Sequence, residues 1–171
     1  MIFGGDRDPA LVTVRRGGDL VDVDHRLIAL WAADCAEHVL HLFERARPDD
    51  PRPREAVAAA CAWARGETRM MAARAIGGHA MGAARPLSGP AREAAFAAGQ
   101  AACVGHVAEH GLGAAAYAIR AARAAAPPTG RDEAGQAECA WQRARLPAQI
   151  RELVLDDQRR RNHLCWGLFV V

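Results

Sequence analysis

Apolar positions recur along most of this chain at intervals of three and four, the period of a helix with one buried face. Leu27, Trp31, Cys35, Val39, Leu42 and Phe43 set the first such face. They predict a helix that Asp22 or Asp24 can cap and that runs to about Arg45. The proline-rich connection 48–53 follows. A second helix then carries Val57, Ala60, Cys61 and Ala64 inward and stops near Gly66, a residue suited to a C-terminal cap. Thr68 starts a third helix, which Pro86 to Pro90 closes, with Ser88 or Gly89 capping the next. The fourth has a line of small residues at Ala91, Ala95, Gly99 and Cys103 that runs on to His106 and His110. Gly111 and Gly113 bend or break the chain there. Ala114–Ala125 and Glu133–Arg145 read as a fifth and a sixth helix, separated by a breaker-rich surface loop at 127–132. Leu146-Pro147 restarts a seventh, with Ile150, Leu153 and Val154 as its buried face.

The third and fourth helices stand apart from the rest. Residues 68–85 and 88–110 are almost entirely small, interrupted by a few large or polar groups such as Met81, Arg74, His79 and Gln100. Small side chains let two helices approach closely, and the short turn between them predicts antiparallel pairing. Gly77, Gly78 and Gly82 weaken the third helix by roughly a kcal/mol each relative to Ala. Such a cost makes sense where a neighbouring helix or a ligand must come close. Outside the helices only Leu11–Val14 and Leu168–Val171 are β-like, and a minor pairing of these two ends is predicted. The expected fold is all-α: a single compact bundle of about seven helices over residues 22–171, preceded by an extended segment, 1–21.

Composition strengthens the helical reading and narrows the chemistry. A chain of 171 residues is long enough for a real core, and much of its apolar half is Ala. No lysine is present, which removes P-loop, Schiff-base and lysine-base mechanisms. Ser88 is the one serine and does not sit in a nucleophile elbow. The five cysteines are scattered without a C-x-x-C pair and read as reduced, small apolar groups. A formal net charge of +2, with both signs interspersed, does not point to nucleic acid. No apolar run reaches the length of a membrane span, and no secretory signal opens the chain. The expectation is a soluble cytoplasmic protein.

Three sets of residues carry candidate chemistry. His106-Val-Ala-Glu109-His110 has the H-x-x-E-H order of inverted zinc peptidases. If helical, it would set two imidazoles one turn apart, able to share zinc once a third ligand is supplied. His79 is a poor third ligand, because its register offsets it by roughly 15 Å along the helix axis. Asp34 and His38 lie one turn apart beside the buried stripe of the first helix, so the acid can orient the imidazole. Glu37 and His41 repeat that spacing on the solvated side. Arg159, Arg160 and Arg161 read as a solvated helix end favoured by the C-terminal dipole.

A series of segments then resembles a known family. Leu30-Trp-Ala-Ala-Asp-Cys-Ala-Glu37, Arg52-Pro-Arg-Glu-Ala56, Ala62-Trp-Ala-Arg-Gly-Glu67 and Gly78-His-Ala-Met81 are followed by Ala97-Ala-Gly-Gln-Ala-Ala102 and the HVAEH segment. Leu112-Gly-Ala-Ala-Ala-Tyr117, Trp141-Gln142, Leu146-Pro147 and Ile150-Arg-Glu-Leu-Val154 complete it. From about Asp24 to Trp166 the chain is similar to the immunity-protein-five-like group of bacterial immunity proteins. The resemblance implies an all-α protein that binds and neutralises a cognate toxin in the cytoplasm, with no catalytic residues. The alternative is a small-molecule- or metal-binding protein, an enzyme included. Its pocket would be lined by Asp34, His38, Arg74, His79, His106, His110 and Tyr117, with His106 and His110 as zinc candidates. A third option, a homo-oligomer, rests on the apolar tail Trp166–Val171 sealing a subunit interface.

Overall fold

The computed structural model describes residues 7–169, and among these the architecture is all-helical, a bundle of seven α-helices. They are α1 (Asp22–Ala46), α2 (Arg52–Ala64), α3 (Met70–Ala84), α4 (Gly89–Cys103), α5 (His110–Ala125), α6 (Arg131–Ala144) and α7 (Ala148–Arg161). No helix of the described residues is long and apolar enough to cross a membrane. The Asp residues expected to cap α1 sit inside its first turn, after Val21 at the N-cap, where they still favour the helix dipole. Gly66 ends α2 as expected, at φ +80° in the left-handed region, with Glu67 N–H bonded back to Ala62 C=O at 2.9 Å.

α4 is the axis of the bundle and packs against α1, α2, α3 and α5. From Ala91 to Cys103 nearly every residue is buried, which only a small-residue helix can accomplish with four neighbours close around it. The tightest approach is to α3. A Cβ on Gly77 would lie 2.7 Å from the Gly99 carbonyl oxygen and 3.1 Å from Cys103 Sγ. A Cβ on Gly99 would meet Met81 Cγ at 2.4 Å. Gly78 and Gly82, by contrast, border open space. One of the three glycines of α3 is therefore required by packing.

The larger core groups come from α1. Trp31, Leu40 and Phe43 are almost fully buried, and the Trp31 indole donates to the Gln142 carbonyl of α6 at 2.9 Å. On the outer side of the same contact, His38 stacks on Trp141 with ring centroids 3.7 Å apart. Glu138 accepts from His38 Nδ1 at 2.7 Å and from Gln142 Nε2 at 2.9 Å. A paired aromatic and a shared carboxylate thus fix α6 to α1.

The predicted pairing of the two chain ends does not form among the described residues, where no strand is present. Val170 and Val171 lie outside them. Both ends use their backbone groups locally instead. Residues 9–11 and 14–16 form short 3-10 turns, and Gly17, at φ +84°, folds the segment back so that Val14 N–H bonds the Leu20 carbonyl and Leu20 N–H bonds that of Val12. A single bridge joins Thr13 and Leu20. At the other end, the Asn162 side chain takes both backbone groups of Phe169, which is buried. The two ends do approach each other, at the Arg160–Asp8 pair, but through side chains and not through a backbone ladder.

Candidate functional site

The fourth helix does not run on to His110. Residues 104–109 form a non-helical corner between α4 and α5, and His110 is the first residue of α5. The helical premise for the H-x-x-E-H motif therefore fails. So does the expected break at Gly111 and Gly113, which lie in the first turn of α5. The physical reason lies in what surrounds the corner. Three of its carbonyl oxygens, left without a helical partner, are met by side chains from distant segments. His25 Nε2 donates to the Val104 carbonyl at 2.7 Å, Arg161 reaches that of Glu109 at 3.4 Å, and Arg16 that of His106 at 3.5 Å. Gly105 is essential to the bend, since a Cβ there would lie 2.6 Å from the Trp63 ring.

The corner is braced by ion pairs built on two buried carboxylates, Glu109 and Asp157. Glu109 accepts two parallel bonds from the Arg7 guanidinium, at 2.9 and 2.8 Å, the bidentate arrangement that suits a carboxylate. Arg161 also pairs with Asp157, whose carboxyl is nevertheless shifted up, because burial outweighs the guanidinium. Arg160 pairs with Asp8. The Arg159–Arg161 run is therefore not simply a solvated helix end.

Two concave regions open on either side of His106 and Val107. One is a groove of about 690 Å³ bounded by Arg74, Ala75, Gly78 and Met81 of α3 with Cys103, His106, His110 and Arg7. The other is a narrower cleft of about 320 Å³ between the start of α1, the α2–α3 turn and the corner. Its walls include Arg7, Arg15, Arg16 and Arg26, with His25, Trp63, Thr13, Thr68 and Asp22.

Both corner histidines are held neutral. Burial is the main cause for His110, followed by the neighbouring His106, and it pushes His110 down to about 4. Its Nδ1 donates to Gln100 Oε1 at 2.7 Å. His106 is lowered by burial and then by Arg74, Arg16 and Arg7, which makes it a reporter of the positive field on both sides. Its Nδ1 is buried with no hydrogen-bond partner among the described residues. Among those residues, no group of three or more His, Cys, Asp or Glu side chains is placed to share a metal ion. Burial raises the thiols of Cys35, Cys61 and Cys103, and takes Cys165 to about 11, so these sulfurs are poor nucleophiles at neutral pH.

The remaining candidates are dispersed. Arg74 shares the groove with His106 and His110. His79 is exposed on α3 and does not line it. Asp34 and His38 are exposed on α1, at the contact with α6. Tyr117 lies in an aromatic cluster built by α4, α5 and the chain end. It stacks on Phe96 at 5.1 Å and meets Trp166 edge-on at 5.4 Å. Arg120 lies over Trp166 at 4.2 Å and Arg92 over Phe96 at 4.7 Å. Beneath them the buried Glu93 accepts from Arg120 at 2.8 and 3.1 Å and from Arg92 at 3.1 Å. Trp166 is 51% exposed and takes a left-handed backbone, φ +57°, unusual for so bulky a residue.

Sequence reasoning missed the cleft and the patch. Arg16, the adjacent His25 and Arg26, and Trp63 come from three segments, and no linear spacing unites them. The basic Arg15-Arg16 doublet a few residues before His25-Arg26 was the available hint.

No curated protein and no solved structure matches the chain. A family model does: the one described as "Imm-5 like putative immunity protein" matches residues 18–149. That span runs from the last turn before α1 to the start of α7 and takes in the bundle axis, the corner and most of the cleft. With the all-helical bundle and a match over most of its length, the chain belongs to the Imm-5 like immunity protein family.

Proposed function

We propose that this protein acts in the cytoplasm by binding a cognate toxin, and that the aromatic–arginine patch around Trp166 is the docking surface. The observation that carries the reading is the exposed Trp166, set between Arg120 and Tyr117 above the buried Glu93. Trp, Tyr and Arg dominate the energetics of protein interfaces, and they do so best when their geometry is fixed before the partner arrives. Here Glu93 holds both guanidiniums, so little side-chain entropy remains to be lost. Family membership supports an immunity role, and such a role needs a rigid, complementary surface and no reacting group.

The test is co-expression with a toxin encoded beside this protein, followed by affinity measurement on the purified pair. Trp166→Gly removes the indole and suits the left-handed backbone, so the fold should persist. We expect it to weaken the complex by about 2 kcal/mol, or roughly thirtyfold, and to abolish protection of growth. A complex whose affinity is unchanged in Trp166→Gly and Arg120→Ala would remove this surface from consideration.

A further inference from the structure

We propose that the arginine-lined cleft beside the corner is a binding site for a small molecule bearing a terminal phosphate monoester. The site lies on other elements than the Trp166 patch and does not depend on the toxin-binding reading.

Charge is the first argument. Of the four arginines in the cleft, Arg15 is paired with Asp22 and Arg7 with Glu109. Arg16 and Arg26 form no ion pair among the described residues; Arg26 feels the Asp22 carboxylate only at longer range, and that carboxylate is already taken by Arg15. The cleft therefore presents two uncompensated guanidiniums, a match for a phosphate monoester of about −1.5 to −2 charge at neutral pH.

Shape is the second. Arg26 crosses from α1 to the α2–α3 turn, where its Nη1 would lie 3.8 Å from a Cβ on Gly66. Arg16 approaches from the segment before α1 and touches the His106 carbonyl. The two guanidiniums thus come from different segments to walls of one concavity of about 320 Å³, the lower end of ligand-pocket sizes. That suits a compact anionic head better than an extended acidic chain. Thr13 and Thr68 add hydroxyls that can donate to phosphate oxygens.

The third argument is an orphaned atom. His106 Nδ1 is buried without a partner, at a residue that borders both this cleft and the groove beyond it. A buried unpaired ring nitrogen is costly. Burial is the main cause that lowers this imidazole's pKa, and the arginine field adds to it; a bound phosphate would offset that field and so favour the proton.

The experiment is an NMR titration of the full chain with phenyl phosphate at pH 7.5 and constant ionic strength. Saturable shifts at the His106 ring and the Trp63 indole are expected, together with a rise in the His106 pKa. Arg26→Gln should weaken binding by about tenfold, and Arg16→Gln similarly, the loss of one charge-assisted contact of ~1.4 kcal/mol each. Arg85→Gln makes the same charge change at the far end of α3 and should leave affinity unaltered. Thermal melts and the amide spectrum check that each variant is folded, and either single variant suffices. Shifts that do not saturate, or that persist in both arginine variants, would overturn the proposal. So would saturable binding of a glutamate-rich peptide, or of a single-stranded oligonucleotide without a terminal phosphate, in the absence of any response to phenyl phosphate.

Discussion

The α3–α4 contact and the corner at 104–109 adjoin each other, and they are held together in opposite ways. At the contact, Gly77 and Gly99 bring two backbones together with no side chain between them. At the corner, the backbone has left the helix, and the carbonyls of Val104, His106 and Glu109 depend on side chains from elsewhere: His25, Arg16 and Arg161. The first arrangement is rigid because nothing can be inserted. The second is specific because several polar groups must all arrive. Packing of small residues creates the scaffold, and polar capping of its one interruption creates the concave, charged surface. The difference explains why the arginine cleft and the His106 groove both open at the corner, the groove extending from it along α3.

Three perturbations separate these two modes. The largest effect is expected from Gly77→Ala. Its Cβ would collide with the Gly99 backbone, which cannot swing aside as a flexible side chain does. We expect about 3 kcal/mol of destabilisation by chemical denaturation, at the upper end of typical overpacking costs. A loss well under 1 kcal/mol would mean that α3 and α4 can separate freely, and the contrast with the corner would dissolve.

The next effect is on pH dependence. His110 has its folded pKa lowered to about 4, below the ordinary value of 6.5, so the unfolded chain binds more protons between those limits. Stability contributed by this group is complete above about pH 6.5 and is lost as pH falls towards 4. By pH 5 the loss should be about 2 kcal/mol relative to pH 7. His25 and His106 are lowered as well and act in the same direction. His110→Gln keeps a donor for Gln100 but cannot titrate. Its stability profile between pH 7 and 5 should therefore be flatter than that of the parent by that amount. Superimposable profiles would show that His110 is not buried neutral at the corner.

The smallest effect sharpens the comparison from the other side. Gly78 neighbours Gly77 in sequence but borders the groove, with nothing near its missing Cβ. Gly78→Ala should raise stability by roughly 0.5–1 kcal/mol through helix propensity alone. The two adjacent substitutions thus carry opposite signs, and thermal melts of the pair measure how sharply the α3–α4 contact is confined.

Much of the scaffold was legible. The 3–4 spacing from Leu27 to Phe43 located α1, Gly66 marked the end of α2, and the small-residue stretches marked the α3–α4 pair. Each rests on a local rule about period, cap or volume. The candidate site was less so. Arg74, His106 and His110 do share a groove, but as groups on two elements and a corner, not as a helical motif. Asp34 and His38 lie at the α1–α6 contact, where His38 binds Glu138 a hundred positions away. Tyr117 joined a cluster completed by Trp166, whose exposure no periodicity could indicate.

The amino-acid order alone determined that this chain is helical, where most helices lie, that two of them approach closely, and which family it resembles. Those properties depend on residues within a few turns of one another. Tertiary structure alone decided that α4 stops at Cys103, that Gly105 must clear the Trp63 ring, and that Arg16 and Arg26 reach one cleft in which Asp22 pairs with Arg15 instead. Such outcomes depend on which distant donor meets an orphaned carbonyl and which distant acid meets a guanidinium. Electrostatic and hydrogen-bond partners are chosen by proximity in space, and local sequence periodicity carries no record of that.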